Sequence, residues 1–257
     1  MKIICVIPAR FASTRLPGKP LAKIAGAPMI EWVYRRAAAV PEFSLVLVAT
    51  DDLRIKHAVE NFGGKVEMTP QNLRSGTDRV AYVAERHDGD IFVNLQGDEP
   101  LVVPGVLKAL VEPFADPDVQ MTTPVSIVTN PSDLSDPNKV RVVCDQSGDA
   151  LYFSRALIPF MRDISEIKLW PENHIFYKHI GIYAYRKAFL IKLTQLPEGR
   201  LEAAEKLEQL RVLENGYRIR TVITNYQARS VDTEEDLARI NREVAKNNIT
   251  IESYHEN

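Results

Sequence analysis

The sequence has little cysteine, no long apolar run and no surplus of charge of either sign, and each shortfall excludes a class of protein. Its two cysteines, Cys5 and Cys144, sit in apolar β-like runs with no partner at metal-ligand spacing. They read as buried thiols of a reducing compartment, not as a disulfide framework. The net charge of -2 argues against general nucleic-acid binding, which needs a positive surplus. No apolar stretch approaches the roughly 20 residues of a membrane span. The opening apolar run, about six residues, is too short for the core of a signal peptide. The expectation is a soluble, cytoplasmic protein without membrane insertion. Familiar nucleotide and hydrolase motifs are also missing. Gly18-Lys19 is followed by Pro20 and lacks the upstream glycine of a Walker loop. Neither G-x-G-x-x-G after a strand nor G-x-S-x-G occurs. His174 and His179 stand five apart with no cysteine nearby, so zinc is not expected.

What the chain does have is concentrated at its start. Ile3 to Ile7 is wholly apolar and rich in β-branched residues, the pattern of a buried strand, and Pro8 is expected to end it. The loop beyond carries Arg10, Arg15 and Lys19 with no acid between them, stiffened by Pro17, Gly18 and Pro20. Open α/β sheets bind ligands just beyond the carboxyl ends of their strands. Three cations there suit a compact anion such as a triphosphate; a solvated basic loop is the plainer alternative.

The 257 residues could form one large α/β domain or two small ones, and bury about three quarters of the unfolded surface without staples. Strands over 45–49, 65–68, 91–95 and 119–128 alternate with helices beginning near Pro28, Asp52, Ser75 and Pro104. That alternation predicts βαβ units and a mostly parallel sheet. Asp51 and Asp52 read as helix caps before metal ligands. Right-handed crossovers should bring the opening loop, the Arg74–Arg79 turn and the Gln96–Pro100 turn to one edge. After Asn130-Pro131 the pattern changes. A hairpin is expected around Asp145–Gly148, one strand over 179–185, one helix over 201–213, a last strand over 218–223 and a final helix capped by Thr233. No repeat or flexible linker appears, so the expectation is a single domain over 1–257. Within it, about 1–130 and 225–257 form the main sheet and about 131–224 an inserted α+β lobe.

An anion site of this kind needs a metal. Asp98 directly follows a strand, in Gly-Asp-Glu-Pro, where a carboxylate could hold Mg²⁺ with few protein ligands. Asp232 precedes a helix and, on its own, reads first as a cap.

At this point the residues resemble a known family, the 3-deoxy-manno-octulosonate cytidylyltransferases (CMP-Kdo synthetases). The resemblance is carried by Pro8–Pro20, Ser75–Arg79, Asn94–Pro100, Ala150–Arg155, His179–Tyr185, Leu207–Arg211 and Val231–Thr233, in order, covering residues 1 to about 245. It implies a Rossmann-like fold of the nucleotide-diphospho-sugar transferase type. It also implies a reaction, CTP plus a 2-keto-3-deoxy sugar acid giving CMP-sugar and pyrophosphate, for lipopolysaccharide biosynthesis, with Mg²⁺ and a homodimer built through the second lobe. By the same resemblance Arg10, Lys19 and Asp98 are catalytic, and Asp98 and Asp232 hold the metal. Pro8, Ala9, Arg10, Arg15, Lys19, Arg74, Ser75 and Gln96 bind the nucleotide. Gln96, Arg162, His179, Tyr183, Glu208 and Gln209 line the sugar site, with Arg162 clamping its carboxylate. Read without the family, Glu208 is an exposed helix acid paired with Arg211, and Tyr183 an ordinary strand aromatic. One departure leaves the sugar's 8-substituent open: Ala204 stands where several members carry histidine, and some relatives with an acidic segment here use an 8-amino sugar. A metal-dependent glycosyltransferase and a non-catalytic nucleotide-binding scaffold are the competing readings.

Overall fold

The opening strand shows why its sequence is apolar on both faces. In the computed structural model, which describes residues 1–13 and 15–253, β1 (Ile3–Ala9) lies between β4 (Phe43–Thr50) and β6 (Ile91–Asn94), parallel to both. Ile3, Cys5, Ile7 and Ala9 enter the core on one face and Ile4 and Val6 the core on the other. The strand runs one residue past Pro8. Val6 turns its carbonyl to the Leu95 amide, so by strand alternation Pro8 faces the same side. There β6 has already left, and no ladder donor is needed.

Two short strands, β2 (Lys23–Ile24) and β3 (Ala27–Pro28), make a hairpin ahead of α1 (Met29–Ala38). After β4 come α2 (Leu53–Asn61) and β5 (Val66–Met68), and then α3 (Gly76–Arg86) leads to β6. Asp52 caps α2, accepting from the Arg54 amide at 2.8 Å. Asp51 is not a cap: it pairs with the buried Arg79 guanidinium at 2.9 Å. That guanidinium also bonds Thr69 and ties α3 to the sheet. α4 (Pro104–Val111) precedes β7 (Met121–Ile127).

The second part begins with the expected hairpin, β8 (Arg141–Cys144) and β9 (Ala150–Ser154), followed by α5 (Trp170–Asn173). The strand expected over 179–185 is broken. β10 (Tyr177–His179) and β11 (Tyr183–Arg186) both run antiparallel to β7, with His179 opposite Val125 and Ala184 opposite Thr122. Five steps along one chain match three along the other, so Ile180, Gly181 and Ile182 form a bulge that re-aims the neighbouring side chains. α6 (Lys187–Gln195) occupies a stretch to which the sequence reading assigns no element. The helix expected over 201–213 is two: α7 (Arg200–Glu205) and α8 (Leu210–Glu214). Lys206, at φ 55°, turns the chain between them. β12 (Arg220–Thr224) and α9 (Glu234–Lys246), with its Thr233–Asp236 capping box, complete the chain.

The main sheet runs β5-β4-β1-β6-β11-β7, with β12 parallel to β7 and the β10-β8-β9 ribbon continuing from β7. Among its six central strands β11 alone runs against the rest, so the expected mostly parallel sheet flanked by helices is what forms. Thr14 of the opening loop and residues 254–257 lie outside the described residues.

Candidate active site

The carboxyl ends of β1 and β6 open into one cleft of about 400 Å³. Pro8 and Ala9 line it from the end of β1, Arg10, Arg15 and Lys19 from the opening loop, Gly76 from the start of α3, Gln96, Gly97 and Asp98 from the turn after β6, and Asp232 from just before α9. The three turns expected to converge do so. The glycines are the close-approach points. A Cβ on Gly97 would stand 3.3 Å from the Pro8 carbonyl oxygen, and one on Gly76 3.4 Å from the Pro8 ring.

Lys19 is the pivot of the cleft. Its Nζ lies 2.6 Å from Asp98 Oδ2 and 3.0 Å from Asp232 Oδ1, and Arg15 reaches the same Asp232 oxygen at 3.1 Å. Burial alone would pull the Lys19 pKa down, and the two carboxylates more than reverse it, holding the ammonium charged. The acids are held together by the backbone: the Val231 amide donates to the Asp98 carbonyl at 3.0 Å. Buried Glu99 adds a second tie, accepting from Tyr226 Oη at 3.1 Å and the Arg229 amide at 3.3 Å. Two hard carboxylates converging on one cationic point are a donor set suited to Mg²⁺, which takes one or two such ligands and fills the remainder with water and phosphate oxygens. No group of three or more metal-capable side chains occurs among the described residues.

The remaining nucleotide candidates divide. Arg10 folds back onto the Leu73 and Ser75 carbonyls, fixing the turn before α3 against the opening loop. The Arg74 side chain does not line the cleft; it meets Asp78 and the Thr194 carbonyl, each at 3.3 Å. Ser75 is the N-cap of α3, accepting from the Asp78 amide at 3.1 Å.

The sugar candidates gather one layer away. Register places Tyr183 opposite Asn94, on one face of the sheet. Gln96 donates to Asn94 at 3.1 Å and Asn94 to Thr77 at 3.3 Å, which links the cleft to this second cluster. Tyr183 Oη donates to Gln209 Oε1 at 3.2 Å, and the His179 ring stands 5.4 Å from that of Tyr183. Gln209 is buried, and its amide nitrogen has no hydrogen-bond partner among the described residues. A buried unpaired donor costs about 1–3 kcal/mol, which suits a position that meets a ligand acceptor. Glu208 is not on a helix and does not pair as expected. It lies in the turn after Lys206, where burial raises its pKa against the opposing pull of the Thr77 hydroxyl, Arg211 and the Ser75 hydroxyl. Arg211 itself forks onto Glu202 at 2.6 and 2.7 Å. Arg162 is exposed, and the structure does not bring it to this cluster. Asn94, Thr77 and Thr123 belong to the cluster without having been assigned a role in it; for Asn94 and Thr123 the signal is a small polar residue within a buried strand, and Thr77 lies in the first turn of α3.

Burial pushes the His179 imidazole down to about 3, from 6.5. The folded state therefore refuses a proton that the unfolded chain accepts. The resulting stability is complete above pH 6.5 and is lost as the pH falls toward 3. Between pH 7 and pH 5 His179 should account for about 2 kcal/mol of lost stability. Urea midpoints of native protein and His179→Gln at the two pH values check this, and equal slopes would refute it.

A Rossmann-like sheet that gathers a basic loop and two acids at one edge defines a nucleotidyltransferase. The family described as Cytidylyltransferase matches residues 4–219. Proteins named 3-deoxy-manno-octulosonate cytidylyltransferase from Solibacter usitatus and Desulfatibacillum aliphaticivorans are 49% and 51% identical over 242 and 247 residues. These matches span 94% and 93% of this chain and 94% and 97% of those proteins. A solved structure of CMP:2-keto-3-deoxy-manno-octonic acid synthetase complexed with CTP is 42% identical, with a TM-score of 0.90, covering 96% of this chain and 100% of that one. The 4-diphosphocytidyl-2C-methyl-D-erythritol synthase of Anaerococcus prevotii, 12% identical at a TM-score of 0.62 over 95% of this chain and 96% of its own, shares the fold. The chain belongs to the 3-deoxy-manno-octulosonate cytidylyltransferase family.

Proposed function

We propose that this protein activates Kdo with CTP, releasing pyrophosphate and giving CMP-Kdo for lipopolysaccharide assembly. One observation carries the residue assignment: the basic loop and the Asp98–Asp232 pair face each other across a single cleft in a chain of this family. Arg10, Arg15 and Lys19 hold the triphosphate and offset charge on the departing pyrophosphate, the arginines as forks and the lysine as a point charge. The backbone of Pro8, Ala9, Arg74 and Ser75, with the Gln96 amide, suits a small pyrimidine ring. Asp98 and Asp232 would hold Mg²⁺, which when bound supplies positive charge at the phosphates. Gln96, His179, Tyr183, Glu208 and Gln209 orient the sugar acid so that its anomeric hydroxyl attacks the α-phosphorus in line, chemistry that depends chiefly on positioning and electrostatics. Arg162 would clamp the sugar carboxylate only after a rearrangement of its exposed segment.

The acids of α7 favour Kdo over its 8-amino analogue. Glu202 is forked by Arg211, and Glu205 accepts from Ser154 at 2.6 Å and from the Arg155 amide at 2.9 Å, so both are engaged within the protein. Residues 131–224 form the sugar-binding and dimerisation lobe in this reading, and exposed Phe160 and Ile175 within it support a homodimer. The protein acts in the cytoplasm, and no described helix is long and apolar enough to cross a membrane.

A pyrophosphate-release assay crossing the four nucleoside triphosphates with Kdo, 8-amino-Kdo and sialic acid tests the assignment. Release should require CTP and be fastest with Kdo. Faster turnover of the 8-amino sugar would move the assignment to that substrate. A glycosyltransferase would give a nucleoside diphosphate from a nucleotide sugar and no pyrophosphate from CTP.

A further inference from the structure

Thr123, in the middle of β7, is fully buried, and its hydroxyl has three polar neighbours. Its Oγ1 lies 2.8 Å from the Ile182 carbonyl, 3.2 Å from the Ile180 carbonyl and 3.0 Å from His179 Nε2. A hydroxyl carries one proton and two lone pairs, and a carbonyl can only accept. The proton must therefore go to the carbonyls of the bulge. The oxygen is left to accept, and His179 Nε2 must be the donor. Burial keeps the imidazole neutral, so it carries one proton, and Nδ1 is then bare. Among the described residues Nδ1 has no hydrogen bond.

We propose that Thr123 is the positioning residue of the sugar site: by closing the Ile180–Ile182 bulge and accepting from Nε2, it fixes the His179 tautomer that offers Nδ1 as an acceptor to a sugar hydroxyl. The role in sugar binding rests on the placement of His179 in the sugar site; the tautomer does not. The bulge and the tautomer are one device. The two extra residues swing the chain between β10 and β11, and the hydroxyl that satisfies the freed Ile182 carbonyl also orients the ring. A valine has the same shape and can neither donate nor accept, whereas a serine keeps the hydroxyl.

The test pairs nitrogen-15 NMR of the histidine rings with steady-state kinetics on the full chain. The His179 signals are assigned with His179→Gln. The native ring should show a protonated Nε2 and a bare Nδ1. Thr123→Val should lose that tautomer preference and raise KM for Kdo about tenfold, the loss of one ligand hydrogen bond, with KM for CTP unchanged. Thr123→Ser should restore both. An Nδ1-protonated ring in the native protein overturns the proposal whether or not the valine variant folds. Native tautomer in Thr123→Val, or KM rising equally for both substrates, also overturns it. A changed tautomer with an unchanged Kdo KM locates the failure in the sugar-site placement of His179, and the positioning role falls with it.

Discussion

Asp98→Asn should abolish pyrophosphate release and leave the fold standing. Asparagine has the shape of aspartate, and the Asp98 carbonyl still accepts from the Val231 amide, so the turn keeps its backbone tie. What goes is the negative charge 2.6 Å from the Lys19 ammonium. That pair is partly open to solvent, and its loss should change stability by no more than about 1 kcal/mol. Turnover is another matter. The carboxylate is one of two that can bring a hard cation to the phosphates, and neutralising it should lower kcat by about 10³-fold or more. Thermal melts and pyrophosphate release on the same preparation separate the two effects. A non-catalytic nucleotide-binding protein would tolerate the change, and retained turnover would overturn the metal assignment.

Lys19→Met should be nearly as damaging, for the complementary reason. The ammonium sits between Asp98 and Asp232 and is the closest of the three loop cations to both. Without it, the triphosphate would lose a point charge from a largely buried side chain, and kcat/KM for CTP should fall about 10²–10³-fold. The two carboxylates then face each other with only Arg15 to offset them. Mg²⁺ alone should therefore raise the melting temperature of Lys19→Met more than that of the native protein, because it takes over the counter-ion role in the folded state. Native kcat/KM in this variant, or no difference in the Mg²⁺ shift, would contradict the account.

The cleft proposed for the nucleotide was legible in the sequence because its geometry follows from topology. An apolar run ending in a basic loop, and a second ending in Gly97-Asp98, must meet if both strands are parallel and adjacent, and β1 and β6 are. The cluster proposed for the sugar was not legible in the same way. It depends on where elements break: the bulge at Ile180–Ile182 and the turn at Lys206. The second break has no glycine to announce its positive φ, since Lys206 itself takes that conformation, and Gly181 in the bulge does not adopt one. A helix continued through Lys206 would have put Glu208 on solvent beside Arg211. The break instead carries it to Thr77 and Ser75 and gives Arg211 to Glu202. For Arg74 the resemblance implies a backbone contact from the Arg74–Ser75 turn, and a side chain bonded to Asp78 and Thr194 is compatible with that. Asp51 reads as a cap until the buried Arg79, 28 residues on, claims it.

A crystal structure with CTP and Mg²⁺ tests most directly whether the basic loop and the two acids grip one nucleotide and its metal. It should show the metal bound by Asp98 and Asp232 at about 2.0–2.1 Å and the triphosphate against Arg10, Arg15 and Lys19. A triphosphate seated elsewhere, or a metal with neither carboxylate in its coordination sphere, would contradict it.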